Sequence, residues 1–235
     1  MDGWIEFYDS AHTIYVSPRH CDIHFRRIAE DLRRYVTAGA TVVDYGCGEA
    51  LHADIVADEA ARLTLVEPAP GVRARLATRF AQHAKIEVRS ADDLAGLADH
   101  SVDLVVMHSV AQYLTDDELD ATLRQFHRLL PPSGLLVLGD VIAPTTSAAT
   151  DALALLSFGA RDGFFVAAVV GLGHTVLSPY RRLRSALGLT RYDAAAITAR
   201  FAAAGFVAER AARNIGHNQA RMTFLGRPAR PGTGN

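Results

Sequence analysis

Lysine is almost missing from this 235-residue chain: Lys85 is the only one, and 24 Lys and Arg together stand against 26 Asp and Glu. The formal net charge is -2. The basic excess that nucleic-acid binders carry is therefore absent, and no nucleic-acid partner is expected. Cysteine is as scarce. Cys21 and Cys47 stand in unrelated contexts, which leaves no disulfide framework and no zinc spacing, so no metal is expected. Residues 1–10 are polar and aromatic and lack a cleavable apolar core, so no signal peptide is read and a cytoplasmic location is expected. No apolar run approaches the roughly 20 residues that a bilayer span needs. Repeats are absent, and the only biased segment is the Pro- and Gly-rich end, Arg227 to Asn235, expected to fray.

What is present suits one compact α/β domain over residues 1–227 followed by a tail, 228–235: hydrophobic residues make up 49% and charged residues 21%. Short β-rich runs recur at 41–45, 63–67, 86–89, 102–107 and 135–139, each bounded by Gly, Pro or Asp, as strands covered on both faces are. Helical patterns separate them at 52–61, 70–83 and 116–130. The last opens on Thr115 with Glu118 three residues on, a capping-box pattern, and closes at Pro131-Pro132-Ser133-Gly134. Strand–helix alternation predicts right-handed crossovers and a doubly wound, mostly parallel sheet. An amphipathic helix is expected over 18–36, apolar helices over 150–187, a helix over 193–204, and late strands at 206–208 and 220–225.

The chemistry concentrates at Asp44-Tyr45-Gly46-Cys47-Gly48-Glu49-Ala50, on the first strand and its following turn. Ligands of doubly wound sheets lie beyond the carboxyl ends of the strands. Gly46 and Gly48 let a ligand approach the backbone, and the next helix offers its positive end. A dinucleotide fingerprint would need glycine where Leu51 stands, and an acid at Asp44 repels a pyrophosphate but suits a ligand bearing an amino group.

With these residues in view, the chain resembles the class I S-adenosylmethionine-dependent methyltransferases, strongly over Ala38 to Asp140 and loosely elsewhere. The family's first motif is an acid followed by Gly-x-Gly-x-Gly; here Ala50 takes the last glycine's place. The resemblance implies a seven-stranded, mostly parallel sheet with an antiparallel last strand and a helical lid. It also implies S-adenosylmethionine as cofactor and its demethylated form as product. The Gly46-Cys47-Gly48 loop would lie on the methionine part and Asp44 would meet its amino group. Glu67, followed by Pro68, would bond the ribose hydroxyls. Ser90, Ala91 and Asp92 would hold the adenine, although the family's usual Asp falls at Ser90. Within the domain, 1–37 would be an N-terminal lid and helix, 38–146 the cofactor core, 147–190 a helical cap and 191–227 the closing helix and strands.

His108 and Ser109 end the fourth strand beside the expected cofactor. His108 is the candidate base, against the alternative of a histidine bonded to backbone. Gln112 and Tyr113 could line the acceptor pocket or cap the next helix. The Phe7–Tyr15 segment resembles a lid, with Tyr8 or Tyr15 near the cofactor, or an aromatic arm that simply packs. His217, within Asn214–Gln219, could touch substrate or sit in a turn that bonds its own backbone. The apolar stretch 150–172, followed by Arg181, Arg182, Arg184 and Arg191, reads as a buried lid, a dimer contact, or an approach for an apolar acceptor from a membrane surface. The expected protein is thus a methyltransferase for a small acceptor, as a monomer or homodimer. The rivals are a nicotinamide-dependent oxidoreductase and a non-catalytic binding module.

Overall fold

The computed structural model describes residues 2–9, 15–176 and 188–229; Arg181, Arg182, Arg184 and residues 10–14 lie outside them. Five strands run parallel: β1 (Thr41–Tyr45), β2 (Arg62–Val66), β3 (Ile86–Arg89), β4 (Leu104–His108) and β5 (Leu135–Val141). With β6 (Phe206–Arg210) and β7 (Met222–Pro228) they form one sheet in the order β3-β2-β1-β4-β5-β7-β6. β7 is antiparallel to both its neighbours. β1 pairs with β2 on one side and β4 on the other, so strand order reverses there, and a crevice opens beyond the carboxyl ends of these strands.

The helices are α1 (Asp2–Asp9), α2 (Pro18–Arg33), α3 (Ala53–Glu59), α4 (Pro70–Arg79), α5 (Asp116–Leu129), α6 (Ala148–Asp162), α7 (Phe165–Val176) and α8 (Ala194–Ala203). Leu119, Leu123, Phe126 and Leu129 of α5, with Ile197 and Phe201 of α8, cover one face of the sheet. Ile28 and Leu32 of α2, Val56 of α3 and Val72 and Leu76 of α4 cover the other. Each such side chain contributes about 1.5–3 kcal/mol by leaving water.

Local signals set the ends. Thr115 and Glu118 cap each other reciprocally at the start of α5. Ser17 accepts the His20 N–H ahead of Pro18 at the start of α2. α3 is shorter than the pattern predicts, because His52 turns its ring to Asp22 (2.8 Å) and offers no cap. α4 stops at Arg79 rather than His83, where Phe80 leaves helical geometry. Gly163, left-handed at φ 79°, closes α6 and lets α7 fold back on it. Phe158, Phe164 and Ala168 fill the turn of this hairpin, while Leu153, Phe165, Val166, Val169 and Val170 face outward. Among the described residues no helix is long and apolar enough to cross a membrane.

Candidate functional site

β1 ends at Tyr45, and the chain turns sharply because Gly46 (φ 72°) and Gly48 (φ 59°) adopt left-handed backbone. The Gly46 N–H donates to the Val66 carbonyl at 2.7 Å, tying the turn to β2. A Cβ at Gly46 would lie 2.4 Å from Val110 Cγ2, so this glycine makes room for a neighbouring side chain and not directly for a ligand. Ala50, in the last glycine's place, keeps the left-handed backbone (φ 40°) that a glycine adopts without strain. Arg75 and Arg79 of α4 clamp Glu49 and fix the far side of the turn.

Glu67 follows β2 directly. Its carboxylate accepts the Gly48 N–H at 2.9 Å and the Ala69 N–H at 2.8 Å, so one acid ties the turn after β1 to the turn after β2. Burial pushes its pKa up, and those two N–H groups pull against the shift. A carboxylate offers about four acceptor sites, so both oxygens keep capacity. Asp44 stands beside it on β1. Burial, then the nearby Glu67 charge, raises Asp44 from 3.8 to about 7. No hydrogen bond reaches its carboxylate from the described residues.

Asp44, Gly46, Cys47, Gly48, Glu67, Pro68, His108 and Ser109 line one cavity, together with Tyr15, Tyr8 and Tyr113. Ser90, Ala91, Asp92, Gln112 and His217 lie outside that lining. The Ser90 N–H and hydroxyl both donate to Asp93, which closes a local turn. Gln112 donates to the Ser109 carbonyl, while its buried Oε1 has no partner among the described residues. His217 stacks on Phe158 with ring centroids 4.4 Å apart. The loop that carries it does bond its own backbone, through Asn214 and Gln219. Arg191 donates to the Pro144 and Thr146 carbonyls.

His108 Nε2 sits 3.4 Å from the Ile215 carbonyl, so that nitrogen carries the hydrogen, and burial lowers its pKa. Ser109, itself left-handed at φ 58°, donates to Asp140 at 2.7 Å.

The sequence reading missed the far wall. Trp4 and Ile5 of α1 and His24 and Phe25 of α2 also line the cavity. Trp4 packs on Tyr113 at 4.6 Å, and the Tyr8 and Tyr113 hydroxyls meet at 2.7 Å. Asp9, at the end of α1, accepts the Gly71 and Val72 N–H groups, so α1 caps the first turn of α4 and roofs the cavity. The i, i+4 spacing of His20 and His24 marks one face of α2, but nothing in the sequence says that this face meets the turn after β1.

Residues 43–138 match the family described as a methyltransferase domain. No curated protein matches the sequence. Among solved structures, the DhpI–SAH complex is similar with a TM-score of 0.62 at 15% identity, over 97% of this chain and 96% of that one. The sugar N-methyltransferase KedS8 from Streptoalloteichus sp. ATCC 53650 gives 0.59 at 20% identity, over 88% of each chain. Streptomyces venezuelae DesVI gives 0.59 at 18%, over 87% of this chain and 92% of that one. At these identities the likenesses show the fold. Residues 43–138 thus carry the match to a methyltransferase domain, and the seven-stranded fold around them is the one these solved structures share.

Proposed function

We propose that the cavity holds S-adenosylmethionine against the turn after β1 and admits a small, uncharged, largely apolar acceptor under α1 and α2. The observation that carries the reading is Asp44: a half-buried carboxylate with no hydrogen-bond partner among the described residues, facing the same cavity as Glu67. An unpaired carboxylate shielded from water is costly to ionise, and a ligand ammonium relieves that cost. Asp44 then receives the amino group, Glu67 uses its remaining lone pairs on the ribose hydroxyls, and Gly46–Gly48 presents backbone to the amino-acid part. Pro68 and Ser109 flank the nucleoside. Ser90, Ala91 and Asp92 border the adenine from outside the cavity described above.

A sulfonium methyl donor supplies an electrophilic carbon and a good leaving group, so the protein's task is alignment and exclusion of water. Alignment alone lowers such barriers by about 7–11 kcal/mol. The α1 roof, held by Asp9 and by the Tyr8–Tyr113 and Trp4–Tyr113 contacts, excludes water. Trp4, Ile5, Tyr8, Tyr15, Phe25 and Tyr113 form the acceptor's wall. Among the described residues no Lys or Arg lines the cavity, which disfavours an anionic acceptor.

Calorimetric titration with S-adenosylmethionine tests the reading. Micromolar-range binding that weakens at least tenfold in Asp44→Ala supports it. Absence of binding at millimolar cofactor, or preferential binding of a nicotinamide dinucleotide, would sink it.

A further inference from the structure

Four imidazoles gather at one side of the site, two of them, His24 and His108, lining the cavity itself. His20 and His24 come from α2, His108 from β4 and His217 from the turn before β7. The rings of His20, His24 and His217 pack among Tyr15, Phe25, Phe158 and Phe164: His24 lies 5.6 Å from Tyr15, 5.4 Å from Phe25, 6.0 Å from His20 and 6.0 Å from His217, centroid to centroid. The four are not equivalent. His108 is engaged with the Ile215 carbonyl, His20 Nδ1 receives the Val16 N–H, and His217 is stacked on Phe158 outside the cavity lining. His24 alone of the four both lines the cavity and makes no hydrogen bond with any described residue.

Resting on the methyl-transfer reading above, we infer that His24 is the catalytic base, and that the acceptor is a hydroxyl carried on an aromatic ring. The ring fits because the surrounding wall is Trp4, Tyr8, Tyr15, Phe25 and Tyr113, and flat groups pack edge to face or offset against such rings. The hydroxyl fits because it supplies the hydrogen that a cavity-facing imidazole nitrogen lacks. His24 is held neutral and ready to accept: burial first, then the neighbouring His217, His108 and His20, push its pKa well below 6.5. As the acceptor oxygen bonds the methyl carbon, its proton passes to a ring nitrogen of His24, and the sulfur keeps the electron pair of the broken C–S bond. The imidazolium so formed is disfavoured by the same surroundings, which speeds its loss of the proton to water. His108, the base that the sequence suggests, is second choice because its Nε2 is committed to backbone.

The experiment uses the whole chain saturated with S-adenosylhomocysteine and phenol as the probe. Phenol is titrated while the imidazole carbon-bound protons are followed by NMR, the His24 signal being assigned by its loss in His24→Asn. Phenol is expected to saturate and to move the His24 signal more than those of His20, His108 and His217. His24→Asn should weaken phenol about fivefold, the worth of one hydrogen bond, while S-adenosylhomocysteine affinity stays within about threefold. A His24 signal unmoved by phenol, no saturation by phenol, or equal phenol affinity in the variant overturns the assignment. If His24→Asn does not fold, the wild-type titration decides alone, with the signal assigned in His24→Gln. Failure of S-adenosylhomocysteine itself to bind wild type would instead remove the reading on which this inference rests.

Discussion

The two walls of the cavity are built on opposite plans. The floor, from β1 and β2, is backbone and carboxylate: Gly46 to Gly48 and Asp44, with Glu67 locking the two turns by hydrogen bonds, all within residues 44–69. The roof, from α1 and α2, is rings: Trp4, Tyr8, Tyr15, His24 and Phe25, brought from the chain's beginning to meet Tyr113. A floor of fixed dipoles and charges suits one invariant ligand whose polar groups sit at set positions. A roof of side chains can change residue by residue without disturbing the sheet, and so suits the variable partner in a two-substrate reaction.

The sharpest way to break this contrast is at Glu67. Glu67→Ala strands the Gly48 and Ala69 N–H groups in a buried turn, so stability should fall by about 3 kcal/mol and cofactor affinity by at least about tenfold. Thermal unfolding and calorimetry read the two. A variant of wild-type stability would mean that the floor does not depend on this acid.

Asp44→Asn should split those two quantities. Between 3.8 and about 7 the folded chain holds a proton at Asp44 that the unfolded chain releases. Stability is therefore lost as pH rises through that window. Removing the charge should stabilise the ligand-free protein by on the order of 2 kcal/mol at pH 8, and not at all at pH 4. Cofactor affinity should nonetheless drop, because the ammonium loses its counter-charge. In the wild type that affinity should decline by up to about tenfold per pH unit below 7, as Asp44 protonates, and Asp44→Asn should abolish the dependence. Titrations at pH 5.5, 6.5 and 8 decide it.

The roof should respond more mildly. Tyr8→Phe deletes the hydroxyl contact with Tyr113, worth about 1 kcal/mol. Stability should fall by about that amount in thermal unfolding, while cofactor affinity changes by less than about threefold. The smallest effect is expected beyond the roof, on α7. Val166 is 75% exposed, so Val166→Ser should change stability by less than about 0.5 kcal/mol. A larger loss, or a change of sedimentation coefficient, would show that this apolar face is covered in solution.

The same contrast explains what could be read in advance. The floor is local in sequence, and its residues carry backbone requirements that a motif records: glycines where φ is positive, an acid at a strand end. Thr41–Tyr45 and Ile86–Arg89 coincide with the expected strands, and Thr115 and Glu118 form the expected box. The adenine side was harder. Ser90 and Asp93 satisfy each other, and the residue types alone do not say whether they face a ligand or themselves. The roof was legible as an aromatic arm but not as a partner of α2. His24 reads as one more polar position on an amphipathic helix until α2 is laid across the turn after β1. His108 stood out because strand ends attract attention, while the Ile215 carbonyl that occupies it lies 107 residues away.

The placement of β7 has a consequence for synthesis. It lies between β5 and β6 and, among the described residues, is the only strand bonded to β6. Until Met222–Pro228 has left the ribosome, β5 presents an open edge ready to pair with a foreign strand, and β6 has nothing to join. The β1–β2 floor can thus form while the chain is still growing, yet the β5 edge is covered only when β7 arrives. Loss of even those seven residues should leave the β5 edge open and in need of a chaperone's cover.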